Sequence, residues 1–94
     1  MRIEATAVGL IDDTRVRVSR FEFGVGEQTG WHVHEYDYVI TAITDCHMQL
    51  EHTDGSVTHT TVLAGSAYRR DAGVEHNVIN AGQEKMSFIE IELK

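Results

Sequence analysis

The sequence predicts an all-β domain, a barrel or sandwich of eight or nine short antiparallel strands. Three observations carry that expectation. Polar and apolar residues alternate with period two through most of the chain, and the alternating runs are rich in β-branched and aromatic residues. Turn signals punctuate the runs roughly every 8–12 residues, the rhythm of sandwiches and barrels. No window carries a helical apolar period with capping residues.

Taken in order, Met1 to Val8 is strand-like. Thr14 to Phe23 alternates through Arg15, Val16, Arg17 and Val18, and then Phe21 and Phe23 take the other parity. That change of parity predicts a bulge, or a strand that changes sheets. Gly24 to Gly30 is a glycine-rich connection, and Trp31 to Thr44 reads as one or two strands. Asp45-Cys46 occupies a turn position. His47 to Thr53 and Ser56 to Leu63 flank Asp54-Gly55, the strongest hairpin signal in the chain. Ala64-Gly65, Asp71-Ala72-Gly73 and Ala81-Gly82 separate the remaining strand material at Tyr68, His76 to Asn80 and Met86 to Leu93.

Length and composition narrow the classes. With 94 residues, no proline and eight scattered glycines, the chain reads as a single domain, 1–94, without a linker. A chain this size buries roughly 60–65% of its unfolded surface, so a metal or a partner subunit would add useful stability. A net charge of −7, from 15 acidic and 8 basic residues, lacks the cationic footprint of a nucleic-acid binder. The same charge opposes docking on anionic lipid, and no run is long enough for an apolar helical span. Met1 to Ala5 carries charges where a secretory leader carries an apolar run, and the lone Cys46 has no intramolecular disulfide partner. The expectation is a cytoplasmic protein.

His32 and His34 stand two apart, which on a strand puts both imidazoles on one face, within reach of one metal ion. Their surroundings resemble the cupin family. Its first motif is a glycine, five residues, His-x-His, three or four residues, a glutamate, six residues and a glycine. Gly26, His32 and His34 match its front half. Its second motif places a glycine, a proline, a glycine, a histidine and an asparagine at set spacings. Gly65, Gly73, His76 and Asn80 fall on those spacings. The resemblance implies a cupin-type β-barrel, the double-stranded β-helix or jelly roll. It also implies one divalent transition metal (iron, zinc, nickel or manganese) on His32, His34 and His76. The segment from Trp31 to Val39 resembles a subgroup of very small bacterial cupins, some named for β-alanine or related amino-acid catabolism.

The chain departs from the motifs at three places. Tyr38 stands at the glutamate position, Asp45 and Cys46 at the closing glycine, and Asp71 at the proline. Tyr38 shares the parity of the histidines and is the candidate catalytic residue, as a hydrogen-bonding phenol or a weak fourth ligand. Its alternative role is a cavity-wall aromatic. Glu35 and Asp37 have the opposite parity and replace the lost carboxylate only if a bulge shifts the register. Gly26, Gly65 and Gly73 are assigned to turns, and Asn80 to pinning a turn or strand end. His47, His52 and His59 are expected to be mostly exposed, and Cys46 a bystander. Arg20, Arg69 and Arg70 are expected at the surface unless one binds a substrate carboxylate at the mouth. Glu75 is expected to point away from the site, with Trp31 and Tyr68 in packing or cavity wall.

The functional expectation is a metal-dependent enzyme acting on a small polar metabolite, of dioxygenase, isomerase or decarboxylase type. The alternative is a non-catalytic sensor or carrier of small ligands in the same cavity, and a metal-free structural barrel stands third. A homodimer is expected, formed through an outer sheet face or by exchange of the Met1 to Val8 segment.

Overall fold

A computed structural model describes residues 3–94. It contains nine strands: β1 (Thr6–Asp12), β2 (Val16–Phe23), β3 (His32–Val33), β4 (Asp37–Ala42), β5 (Cys46–His52), β6 (Val57–Val62), β7 (Ala67–Arg70), β8 (Glu75–Asn80) and β9 (Met86–Leu93). They form a five-stranded sheet in the order β1-β2-β9-β4-β7 and a four-stranded sheet in the order β3-β8-β5-β6, all named pairings being antiparallel. Among the described residues no helix is long and apolar enough to cross a membrane.

The core lies between the sheets. Phe23, Ile40, Met48, Val78, Met86 and Phe88 are buried there. Phe88 lies 5.4 Å from Phe23 and 5.5 Å from Phe21, ring centre to ring centre. Alternation sets these faces: β4 turns Tyr38, Ile40 and Ala42 inward, and Asp37, Val39 and Thr41 stay partly exposed.

Two expectations need correction here. The bulge or change of sheet expected between Thr14 and Phe23 is absent from β2. β2 pairs with β9 in one unbroken register from Val16↔Leu93 to Phe23↔Met86. Arg17, Ser19, Phe21 and Phe23 share one inward face, polar at one end and aromatic at the other. The irregularity lies instead in β1, between Gly9 and Ile11. Cys46 is the first residue of β5 rather than part of a turn, and its side chain is in the core.

Of the proposed exchange segment, Met1 and Arg2 lie outside the described residues. Thr6–Asp12 pairs with β2 of the same chain and forms a sheet edge.

Turn chemistry follows the glycines. Gly73 has φ +96°, a region that side-chain-bearing residues avoid, and its N–H donates to the His34 carbonyl at 2.8 Å. The His34 N–H in turn donates to the Val74 carbonyl at 2.9 Å. The second-motif turn therefore clamps the backbone of a first-motif histidine. Asn80 fulfils its expected role: its amide donates to the carbonyls of Phe23, Gly24 and Glu84, and its oxygen accepts from Gly82 N–H.

Candidate metal centre

β3 and β8 lie side by side, with His32 directly opposite His76. His34 follows β3 by one residue and is held in line by the two backbone bonds to Gly73 and Val74. The three rings converge. His32 Nε2 and His34 Nε2 are 3.1 Å apart, as are His34 Nε2 and His76 Nε2. Imidazole nitrogens bound to one zinc-like ion at about 2.0–2.1 Å stand roughly 2.9–3.4 Å apart at right-angled to tetrahedral geometry. The observed separations fit that range.

Protonation favours the same reading. Burial, reinforced by the neighbouring His32, lowers the pKa of His34 to about 4. Burial, then His32 and His34, lower that of His76 to about 3. Both rings are neutral near pH 7, the form that ligates metals. His32 Nδ1 lies 2.9 Å from the Gly30 carbonyl. A carbonyl only accepts, so Nδ1 carries the proton and Nε2 offers its lone pair. His32, His34 and His76 thus form a group that could hold a metal ion.

The histidines border a cavity of about 340 Å³ between the sheets. Tyr38 stacks on His34, with ring centres 3.8 Å apart and planes 16° from parallel. Burial, then Tyr68 and Glu90, raise its pKa, so it stands there as a neutral phenol. Tyr68 also lines the cavity. Glu35 is exposed, and Asp37 accepts from Ala72 N–H at 2.8 Å outside the cavity lining. Neither replaces the motif glutamate.

The carboxylates come from β9. Its inward face runs Met86, Phe88, Glu90, Glu92, so the cavity wall changes from apolar to acidic along one strand. Glu92 is gripped by Arg17, whose Nε and Nη2 both donate to it. That pairing raises the Arg17 pKa. Glu90 has no such cationic grip, and its Oε1 lies 3.8 Å from His34 Nδ1. Burial, then the nearby Glu92, push its pKa up to about 7.

Sequence reasoning missed Arg17, Ser19, Glu90 and Glu92. The usable signal was parity: Met86 and Phe88 fix which face of β9 is internal, and Glu90 and Glu92 follow from it. Other residues fall away from the site. His47 and His59 are exposed, and His52 is half-buried and bonded to the Thr58 hydroxyl at 2.8 Å. Arg20 pairs with Glu22, Arg69 lies 3.9 Å from Asp37, and Arg70 lies over the Tyr68 ring. Glu75 is exposed, as expected. Trp31 is 55% exposed and outside the cavity lining, contrary to its expected packing role.

A double-stranded β-helix with a histidine triad at its cavity defines a class, and the sequence comparison agrees. The model of the cupin domain family matches residues 19–92, and the chain belongs to that family. It is 42% identical over 93 residues to the beta-alanine degradation protein BauB of Pseudomonas aeruginosa, covering 99% of this chain and 97% of that one. The crystal structure of a cupin domain from Bordetella pertussis Tohama I matches with a TM-score of 0.95 at 39% identity, covering 100% of this chain and 97% of that one. The polyketide cyclase RemF of Streptomyces resistomycificus shares the fold, with a TM-score of 0.74 at 22% identity, covering 98% of this chain and 68% of that one.

Proposed function

We propose that this cupin is a metal-dependent enzyme acting on a small polar metabolite, of dioxygenase, isomerase or decarboxylase type. The observation that carries the reading is the convergence of three imidazoles on one cavity that also presents a carboxylate and a guanidinium. His32, His34 and His76 would hold one divalent ion (iron, zinc, nickel or manganese). Bound there, the ion would supply Lewis acidity, or oxygen activation if it is iron. The chain's own residues do the rest. Phe21, Phe88 and Val78 exclude water from part of the wall. Tyr38 offers a protonated hydroxyl, a hydrogen-bond donor rather than an anionic ligand. Arg17 spends Nε and Nη2 on Glu92 and keeps Nη1 for an anionic group on the ligand. The name of the Pseudomonas relative, beta-alanine degradation, supports metabolites derived from small amino acids.

A sensor or carrier using the same cavity is the second reading. It is favoured by Tyr38, a neutral aromatic where the family motif has a carboxylate. A cytoplasmic location is part of the proposal, supported by the free, buried Cys46.

The test is metal content by mass spectrometry of tag-free protein from its own host, beside a His76→Ala variant, followed by turnover assays with small amino acids, thiols and keto acids. Near-stoichiometric metal lost in the variant, with turnover, supports the enzyme. Metal-dependent ligand binding without turnover supports the sensor. No metal in either protein overturns both.

A further inference from the structure

Two carboxylates share the inward face of β9, and the chain treats them differently. Glu92 is held by two nitrogens of Arg17. Glu90, two residues away on the same face, lines the cavity with its side chain 13% exposed. Among the described residues no arginine or lysine pairs with it. The nearest ring nitrogen, His34 Nδ1, is 3.8 Å away, beyond hydrogen-bond reach. Among the described residues no fully buried side-chain oxygen lacks a partner, so the unpaired oxygens of Glu90 open onto the cavity.

The neighbours supply no counter-charge. Glu90 pairs across the sheet with Ser19 of β2 and Ile40 of β4, and Tyr68 pairs with Ile40 beyond. Arg17 offsets Glu92, which leaves the charge of Glu90 as the uncompensated one on this wall. A carboxylate so placed costs stability unless a donor meets it. A ligand ammonium is such a donor, and it favours the ionised carboxylate in return. The rings of Phe21, Tyr68 and Phe88 line the same cavity, and aromatic faces attract cations. The cavity, about 340 Å³, is at the small end of ligand sites.

We propose that the cavity takes a small amino acid in its zwitterionic form, with Glu90 as the specificity-determining residue that receives the ligand's ammonium group. The ligand's carboxylate goes to the opposite charge on the same wall, the free Nη1 of Arg17. This names the substrate class of the site proposed above and rests on that reading only in taking the cavity as the ligand site. The Arg17–Glu92 pair by itself is neutral, so the discrimination between an amino acid and a plain carboxylic acid falls to Glu90.

The test compares matched pairs by isothermal titration calorimetry, on metal-free and on Zn²⁺-loaded protein at neutral pH. Glycine, β-alanine and 4-aminobutyrate are each set beside the acid in which a methyl group replaces the ammonium: propionate, butyrate and pentanoate. Wild type is expected to bind at least one amino acid about tenfold or more tighter than its partner acid. Glu90→Gln keeps the shape and removes the charge, and is expected to abolish most of that preference while changing the affinity for the partner acid by less than about threefold. Equal affinities within every pair, or no binding of any amino acid, overturn the proposal, and this wild-type comparison decides even if the variant fails to fold. A preference unchanged in a folded Glu90→Gln overturns it as well. Zn²⁺ affinity, read by competition with a chromophoric chelator, is expected to change less than about tenfold in Glu90→Gln. A larger loss makes Glu90 a metal ligand and overturns its assignment to the ammonium. Wild-type protein that binds no Zn²⁺ refutes the metal reading alone, and the preference of the metal-free protein still decides the role of Glu90.

Discussion

Arg17 and Glu92 lie directly opposite each other on β2 and β9, and the guanidinium holds the carboxylate through two nitrogens. The Glu92 side chain is 8% exposed and that of Arg17 42%. The pair thus closes a buried anion with a cation that reaches solvent. Removing the arginine strands the carboxylate. Arg17→Leu is expected to destabilise the fold by about 1–3 kcal/mol, and adding Glu92→Leu to recover much of the loss. Urea midpoints of the two single variants and the double give the coupling.

Metal should stabilise the folded chain, because a ligand that binds only the native state adds RT ln(1 + [L]/Kd). At a hundredfold excess over Kd that is about 2.7 kcal/mol, and for a domain of this size Tm should rise by roughly 10–20 °C. Differential scanning fluorimetry with Zn²⁺, Ni²⁺ and Fe²⁺ reads it. The triple variant His32→Ala, His34→Ala, His76→Ala should show no metal-dependent rise. An equal rise in the variant would mean the ions bind elsewhere.

Much of this architecture was legible in the sequence, and the illegible part has a common cause. Strand positions and the Asp54-Gly55 hairpin follow from alternation and turn chemistry, and the meeting of His76 with His32 and His34 from the resemblance to the cupin motifs. The lining of the cavity does not. In β9, Ile89, Ile91 and Leu93 are the more apolar set and look like a core face, yet they point outward. Arg17 and Ser19 look like a solvent face, yet they point in. A cavity lined by polar side chains inverts the rule that apolar residues mark the interior. Cys46 and Trp31 were misjudged because the start of β5 and the exit of the glycine-rich loop carry no local signal.

Phe88 packs at the centre of the aromatic cluster and is 4% exposed. Phe88→Ala is expected to cost about 3–5 kcal/mol, a large part of the 5–15 kcal/mol of a typical domain. The variant should lose its cooperative thermal transition or show a much lower midpoint, measured by circular dichroism. A cost below about 1 kcal/mol would show that the cluster relaxes around the gap.

Cys46 is 1% exposed, and burial raises its thiol pKa. Native protein should resist iodoacetamide at pH 8 and react fully in denaturant, followed by mass shift. The unfolded thiol ionises first as pH rises, so this group's contribution to stability is full below the ordinary pKa of 9.0 and declines above it. Rapid native alkylation would contradict the packing of β5.

The outward face of the five-stranded sheet carries an apolar row in register across four strands: Val39, Ile91, Val18 and Ile11. We propose that a second copy of the chain covers it. Light scattering at micromolar concentration is expected to give a dimer, and Ile91→Arg a monomer that keeps its histidine cluster. A wild-type monomer removes the proposal.

Strand β9 carries its two tasks on alternate residues, and this constrains how the family member can change over time. Point substitutions can retune the cavity through Glu90 and Glu92, or the outer face through Ile89 and Ile91, with neither disturbing the other. A single-residue insertion or deletion in the turn before Met86 has no such freedom. It would turn both glutamates outward and both isoleucines into the cavity at once. Lineages descended from this chain should therefore change Ile89, Glu90 and Ile91 more readily than the length of the turn that feeds β9.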